Sequence, residues 1–322
     1  MSRTKDRLRR SGLSFLVSLL LLSLTTGQLA WGASKSPKPV VMLLLDTSGS
    51  MEYSIDELAA EGEVPVCHDS PEVGFTYSKS RWVVAAEVLT GTFNDYWCSY
   101  DWRDDTTSRE DYMYPVPHVV AHGTSVDGST QRVDGLLDVF AESIKFGLMT
   151  FDARFDNSND AIGGYSFGAD KSWGGFQINL GARSEDAPWG AFVAPPKQDN
   201  ATQSRKVSER IQEEILSATP YLGTPISPQL EDALWYFTQH PNGKPYDEGS
   251  GSGDPYYECR SKSIIVITDG QPTLGEGGYG YDYSHVVAAK LLAAGVKVYV
   301  VGFQMPAGTF PVINQIAQSG GT

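Results

Sequence analysis

The chain has 322 residues, enough for two domains or for one large domain with insertions. At 41% hydrophobic and 20% charged it is globular, neither fibrous nor disordered. Its 39 acidic residues outnumber 25 basic ones for a net charge of −14, which argues against non-specific binding to nucleic acid or to anionic membrane surfaces, both of which need basic patches. That balance suits a protein that stays soluble outside the cell or holds a cation.

Lys5, Arg7, Arg9 and Arg10 form a basic start, followed by an apolar run from Leu13 to Leu24. Ala30-Trp31-Gly32 then places small residues at the −3 and −1 positions of a cleavage site. This is the pattern of a secretory signal peptide over residues 1–32. A membrane anchor is the competing reading, but the run is short of the roughly 20 residues a spanning helix needs. No later stretch is long enough to span a bilayer, so the chain is expected to be exported. Three cysteines remain, Cys67, Cys98 and Cys259, an odd count for an oxidising compartment. No Cys-x-x-Cys pair exists to support a zinc or redox site.

Along the rest of the chain strands alternate with helices. Val40 to Leu45 is an unbroken apolar run, as a strand covered on both faces requires. Helices are expected over 81–93 and 133–144, the second running into a strand at 145–151. Two more helices follow at 204–216 and 229–237. A buried strand at 263–268 (SIIVIT) leads to a helix at 284–294, stopped by Gly295. A strand at 296–303 and an amphipathic helix at 310–318 complete the series. The alternation predicts an α/β fold with a doubly wound, mostly parallel sheet. Polar insertions near 52–78, 97–131, 155–203 and 241–261 are far longer than ordinary connections. The last of them carries a flexible acidic, Gly- and Ser-rich loop at 247–254. Long loops on one domain spanning 38–322 account for the length better than two separate cores.

The chemistry gathers behind the first strand. Asp46-Thr47-Ser48-Gly49-Ser50 reads D-x-S-x-S directly after the apolar run. In a doubly wound sheet, ligands bind in the crevice beyond the carboxyl ends of the strands. One aspartate and two serines in a turn can aim three oxygens at one point, which suits a hard divalent cation. Alone the pentapeptide is a weak signal, since a Ser-rich turn capping a helix reads the same way. Leu222-Gly223-Thr224-Pro225 adds a hydroxyl in a tight turn between helices, and Thr268-Asp269-Gly270 adds a carboxylate at the end of another buried strand. In order and in structural context the three motifs resemble the metal-ion-dependent adhesion site of von Willebrand factor A domains.

The resemblance covers about residues 38–322, with the long loops as unmatched insertions. It implies that Ser48, Ser50 and Thr224 supply hydroxyl ligands while Asp46 and Asp269 bind directly or through water. The implied ion is Mg²⁺, with Ca²⁺ or Mn²⁺ as alternatives, and its open position is expected to take an Asp or Glu from a protein partner. Such domains normally continue after the 310–318 helix with one more strand and a closing helix. Both are expected to be missing here. The start at Pro37-Lys38-Pro39, the large polar insertions and the stretch from Gly308 to Thr322 are similar to the N-terminal region of PilC/PilY-type tip adhesins of type IV pili. The implied function is an exported adhesion module or pilus biogenesis factor, secreted or at the cell surface, pilus-associated or periplasmic. Its partners would be pilus components or a surface receptor. The reading is of a binding protein and not an enzyme. Tyr53, Tyr77, Tyr279, Tyr281 and Tyr283 lie in loops 52–78 and 270–283 and are expected to form the partner-binding rim.

Two alternatives are a secreted scaffold whose metal is structural and, more remotely, a serine hydrolase. The latter rests on Gly164-Tyr165-Ser166-Phe167-Gly168, which matches G-x-S-x-G but has no apolar strand before it and no helix after it. His118 and His122, spaced by four, and the oxygen-rich run Asp152, Asp156, Asn157, Asn159 and Asp160 are read as loops. In the expected fold Cys98 lies just past the first helix and Cys259 just before the SIIVIT strand. Both fall on the side away from the metal site, which makes a Cys98–Cys259 disulfide geometrically plausible.

Overall fold

Val40–Leu45 form β1, and alternation along it decides how the molecule is layered. Met42 and Leu44 face one hydrophobic cluster, Leu43 and Leu45 the other. A strand apolar on both sides has to be covered twice, so helices pack on each face of the sheet. The computed structural model describes residues 37–55, 66–68, 79–94, 97–99, 130–150, 192–194, 201–217, 224, 226–240, 242–270, 283–303, 305 and 307–322. The expected signal peptide at 1–32 lies outside these residues. Pro37–Thr322 is one compact unit.

Two strand pairs lie apart from the main sheet. Val66–His68 (β2) pairs with Trp97–Ser99 (β4), and Phe93–Asn94 (β3) pairs with Thr130–Gln131 (β5), both antiparallel. The main sheet contains Lys145–Met149 (β6), Phe192–Ala194 (β7), Lys262–Thr268 (β8) and Val296–Gly302 (β9). Its order is β7-β6-β1-β8-β9. The pairings β6 with β1, β1 with β8 and β8 with β9 are parallel, and β7 is an antiparallel edge. The fold is thus the doubly wound, mostly parallel α/β class expected.

Arg81–Thr90 (α1), Leu136–Val139 (α2) and Ala201–Ser217 (α3) cover one face. There Trp82, Leu89, Leu137, Ile211 and Ile215 pack on Leu43, Leu45 and Leu148. Ile226–Thr238 (α4), Tyr283–Ala293 (α5) and Phe310–Ser319 (α6) cover the other. There Leu230, Phe237, Val287, Leu291, Ile313 and Ile316 pack on Met42, Leu44, Ile264, Val266 and Val298. The chain leaves β1 over the first face towards β6 and leaves β8 over the second face towards β9. The crevice between the carboxyl ends of β1 and β8 is therefore the topological switch point.

Several expectations are corrected. The 133–144 helix shrinks to the single turn of α2, because Val133, Val139 and Phe140 are exposed and give a longer helix nothing to bury. That turn starts at Gly135, where a Cβ would lie 2.4–2.6 Å from the backbone of Leu89, Thr90 and Gly91. β7 lies inside the expected 155–203 loop. The acidic segment at 247–254 is an ordered turn: Asp247 accepts from the Gly249 N–H (3.0 Å) and the Ser250 hydroxyl (2.7 Å), and Asp247 and Asp254 form bridges to Ser252 and Pro245. It closes on a buried ion pair between Asp254 and Arg260 (2.5 Å). At the β9 edge, the Gly320 carbonyl accepts from the Val298 N–H (3.0 Å) and the Thr322 hydroxyl donates to the Val298 carbonyl (2.7 Å).

The expected Cys98–Cys259 bridge is not formed. Cys259 is a free, exposed thiol whose Sγ lies 3.4 Å from the Tyr256 carbonyl oxygen. In the β2–β4 register Cys98 instead stands directly opposite Cys67. Among the described residues no helix is long and apolar enough to cross a membrane.

Candidate metal centre

The register of the sheet builds this site. Leu45 is the Cα partner of Ile267, and the Asp46 N–H donates to the Ile267 carbonyl (2.8 Å). Asp46 and Thr268 therefore leave the sheet side by side. After β1 the chain turns at once into a single 3-10 turn, Gly49–Glu52, anchored by fully buried Met51. That turn folds Ser48 and Ser50 back over the strand ends. The Ser48 N–H donates to Asp46 Oδ1 (2.7 Å), and the Ser48 and Ser50 hydroxyls lie 3.1 Å apart. The Ser50 hydroxyl donates to Asp269 Oδ1 (2.8 Å), joining the ends of β1 and β8.

Thr224, just before α4, is buried beside them. A Cβ on Gly270 would sit 3.5 Å from Thr224 Oγ1 and 3.8 Å from Ser50 Oγ, so both hydroxyls border the same small space. Asp46, Ser48, Ser50, Thr224 and Asp269 are thus brought together from three separated segments. Four of the five are at least 96% buried, and Ser50 is partly exposed. Among the described residues no group of three or more His, Cys, Asp or Glu side chains gathers anywhere. The donors here are two carboxylates and three hydroxyls, a set with no nitrogen or sulfur that fits a hard divalent cation.

Electrostatically the centre is strained in one direction. Burial, and then the neighbouring Asp269 charge, push the Asp46 carboxyl up to about 7, against the opposing pull of hydrogen bonds from Ser48 and Thr268. Burial also raises Asp269, less the effect of hydrogen bonds from Arg81 and Ser50 and of the Arg81 charge. A cation placed between two such carboxyls would favour their charged forms.

Two participants escaped the sequence reading. The Thr268 hydroxyl donates to Asp46 Oδ2 (2.5 Å) and accepts from the Gly270 N–H (3.2 Å). It is the threonine of the T-D-G motif, in which only the aspartate had been given a role. Arg81, the first residue of α1, donates from Nη1 to Asp269 Oδ2. Its guanidinium lies 5.6 Å from the centroid of the Tyr53 ring. A cation in the first turn of a helix opposes the macrodipole, and that oddity was the available signal.

No family model matches the sequence, and a search of curated proteins finds no match. Among solved structures, the crystal structure of manganese-loaded Plasmodium vivax TRAP protein is similar at 13% identity with a TM-score of 0.35. The alignment covers 87% of this chain and 63% of that one, so the chain spans less than two thirds of the protein it matches. A likeness of that degree carries no argument about the site, which stands on its own geometry.

Of the expected rim, Tyr53 is half-buried beside Arg81. Tyr283 opens α5, though its side chain is outside the described residues. Tyr77, Tyr279 and Tyr281 also lie outside them, as do Ser166 with its glycines, His118, His122 and the oxygen-rich run from Asp152 to Asp160.

Proposed function

We propose that Asp46, Ser48, Ser50, Thr224 and Asp269 hold a divalent cation, Mg²⁺ first with Mn²⁺ or Ca²⁺ as alternatives. In this reading the chain is an exported adhesion module of the von Willebrand A type. The observation that carries it is the meeting of five oxygen-bearing side chains at the switch point of the sheet. When bound, the ion supplies a Lewis-acidic position for a carboxylate of a protein partner. The protein's own groups do the rest. The turn after β1 fixes the serine hydroxyls, and Thr268 and the Ser48 N–H orient Asp46 so that its charge stays in the pocket. The rim, with Tyr53 and the expected Tyr77, Tyr279, Tyr281 and Tyr283, would supply selectivity.

In this reading the role is binding, since the polar groups described at the centre are hard-cation ligands or orient one. A position at a type IV pilus tip is the finer form of this proposal. Support for it comes from Pro37-Lys38-Pro39 leading into β1, the large polar insertions and the stretch from Gly308 to Thr322.

Mn²⁺ uptake followed by electron paramagnetic resonance tests the reading. One ion per chain is expected for the wild type and none for Asp46→Ala, and equal uptake by both would refute it. A purely structural ion is the second reading, favoured by the hydrogen-bond chain that ties β1 to β8. It predicts that EDTA lowers the melting temperature without releasing a pilus fraction or cell surface bound in Mg²⁺.

A further inference from the structure

Arg81 is the group at this centre that metal binding does not require. Its side chain is 15% exposed and that of Asp269 is 0% exposed, so the pair is largely shielded from water. Asp269 divides its oxygens: Oδ1 accepts from the Ser50 hydroxyl and Oδ2 from Arg81 Nη1. Arg81 Nε is buried and meets no acceptor among the described residues. Its backbone N–H donates to the Tyr53 carbonyl (3.0 Å), and Ser80 caps the helix by accepting from the Val83 N–H (3.1 Å). A guanidinium held at the positive end of a helix with one unmet donor is costly. Packing alone would be served better by an apolar residue. The compensating contact is the one to Asp269.

We propose that Arg81 competes with the divalent ion for Asp269 and thereby sets the metal affinity of the centre. This inference rests on the metal-site reading above. An ion drawing on Asp269, directly or through water, needs the electron density that Arg81 engages, and it meets the repulsion of a fixed positive charge on the same carboxylate. Displaced from Oδ2, the guanidinium keeps its contact with the face of Tyr53, so it moves aside without leaving the site. Arg81 is thus a positioning residue that acts through Asp269. It holds the carboxylate oriented, and it yields to a divalent ion only above a threshold concentration.

The test is Mn²⁺ affinity of the full chain for wild type, R81Q, R81K and Asp46→Ala. Hydrogen bonds to charged groups are strong enough that R81Q is expected to bind Mn²⁺ roughly 10- to 100-fold more tightly than wild type. R81K, with the charge but not the planar fork, should fall between them. It carries the comparison if R81Q does not fold. In a Mg²⁺ titration the arginine Nε–H NMR signal absent from R81K should shift in the wild type. A merely structural role for Arg81 predicts weaker binding on its removal, so equal or weaker affinity in both variants overturns the proposal. If wild type binds Mn²⁺ and Asp46→Ala does not, the metal-site reading survives that failure. If wild type, R81Q and R81K all leave Mn²⁺ free, that reading falls and takes this one with it.

Discussion

Replacing Asp46 with Asn separates the charge of the centre from its shape. The amide oxygen still accepts from the Ser48 N–H, and the amide nitrogen can donate to the Thr268 hydroxyl that now donates to Oδ2. What disappears is a carboxyl pushed from 3.8 up to about 7 by burial and by Asp269. The folded protein therefore keeps a proton that the unfolded chain releases near pH 4. The stability linked to that proton is fully present below pH ~4 and is lost as pH rises through about 7. Between pH ~5 and ~7 lie about two pH units, worth about 1.4 kcal/mol each, so the wild type should lose on the order of 3 kcal/mol relative to Asp46→Asn. Urea unfolding in EDTA at pH values from 5 to 8 measures the difference between the two proteins. Taking that difference cancels the titration of groups that do not interact with Asp46. Mg²⁺ should restore the wild type at the alkaline end by mass action and leave Asp46→Asn unchanged. A difference that stays flat across this range, or an Asn variant that is the less stable at pH 8, would refute the electrostatic account of the pocket.

The buried Asp254–Arg260 pair makes a second claim on stability. Arg260 donates from Nε (2.5 Å) and Nη2 (3.2 Å) to Asp254 and from Nη1 to the Lys38 carbonyl, tying the ordered 247–254 turn to the start of β1. Asp254→Ala removes the carboxylate that balances a buried guanidinium and should cost about 3–5 kcal/mol in urea unfolding; a loss under about 1 kcal/mol would mean water reaches the arginine. The β2–β4 register sets Cys67 opposite Cys98, a spacing across antiparallel strands that a disulfide can close. Non-reducing peptide mapping of the purified protein should recover Cys67 joined to Cys98 and Cys259 alkylated as a free thiol, and a Cys259-linked peptide would contradict the register.

What could be read in advance follows from what burial does to sequence. β1 and β8 are covered on both faces, so each appears as an unbroken apolar run that no surface segment imitates. Asp46 and Asp269 were legible because each directly follows such a run, where the fold class alone locates a ligand crevice. β7 was hidden because three residues at an antiparallel edge leave no period to detect. α2 was overestimated because Val133, Leu136, Val139 and Phe140 have helical spacing, while the structure leaves all four exposed. The Asp247–Asp254 turn has a composition that reads as flexible. Its order comes from Asp247 hydrogen bonds within the turn and from the pairing of Asp254 with Arg260, outside the segment itself. Arg81 escaped for a related reason, since its partner Asp269 is 188 positions away.

The charges at the proposed centre also constrain how a partner would be recognised. With Asp46 and Asp269 ionised and Arg81 paired to the latter, the side chains there sum to one negative charge, and the three hydroxyls add none. A divalent ion reverses that sign, leaving one net positive charge and an open coordination position, which a single carboxylate neutralises. The chain as a whole, at −14, repels an acidic partner at long range. That repulsion is screened within about 8 Å at physiological ionic strength, whereas the buried centre is screened far less. Attraction therefore acts only once the rim is already in contact, and raising the salt should speed association while leaving the metal-dependent dissociation rate nearly unchanged. A partner captured by a diffuse charged surface would show the opposite pattern, with association slowed by salt.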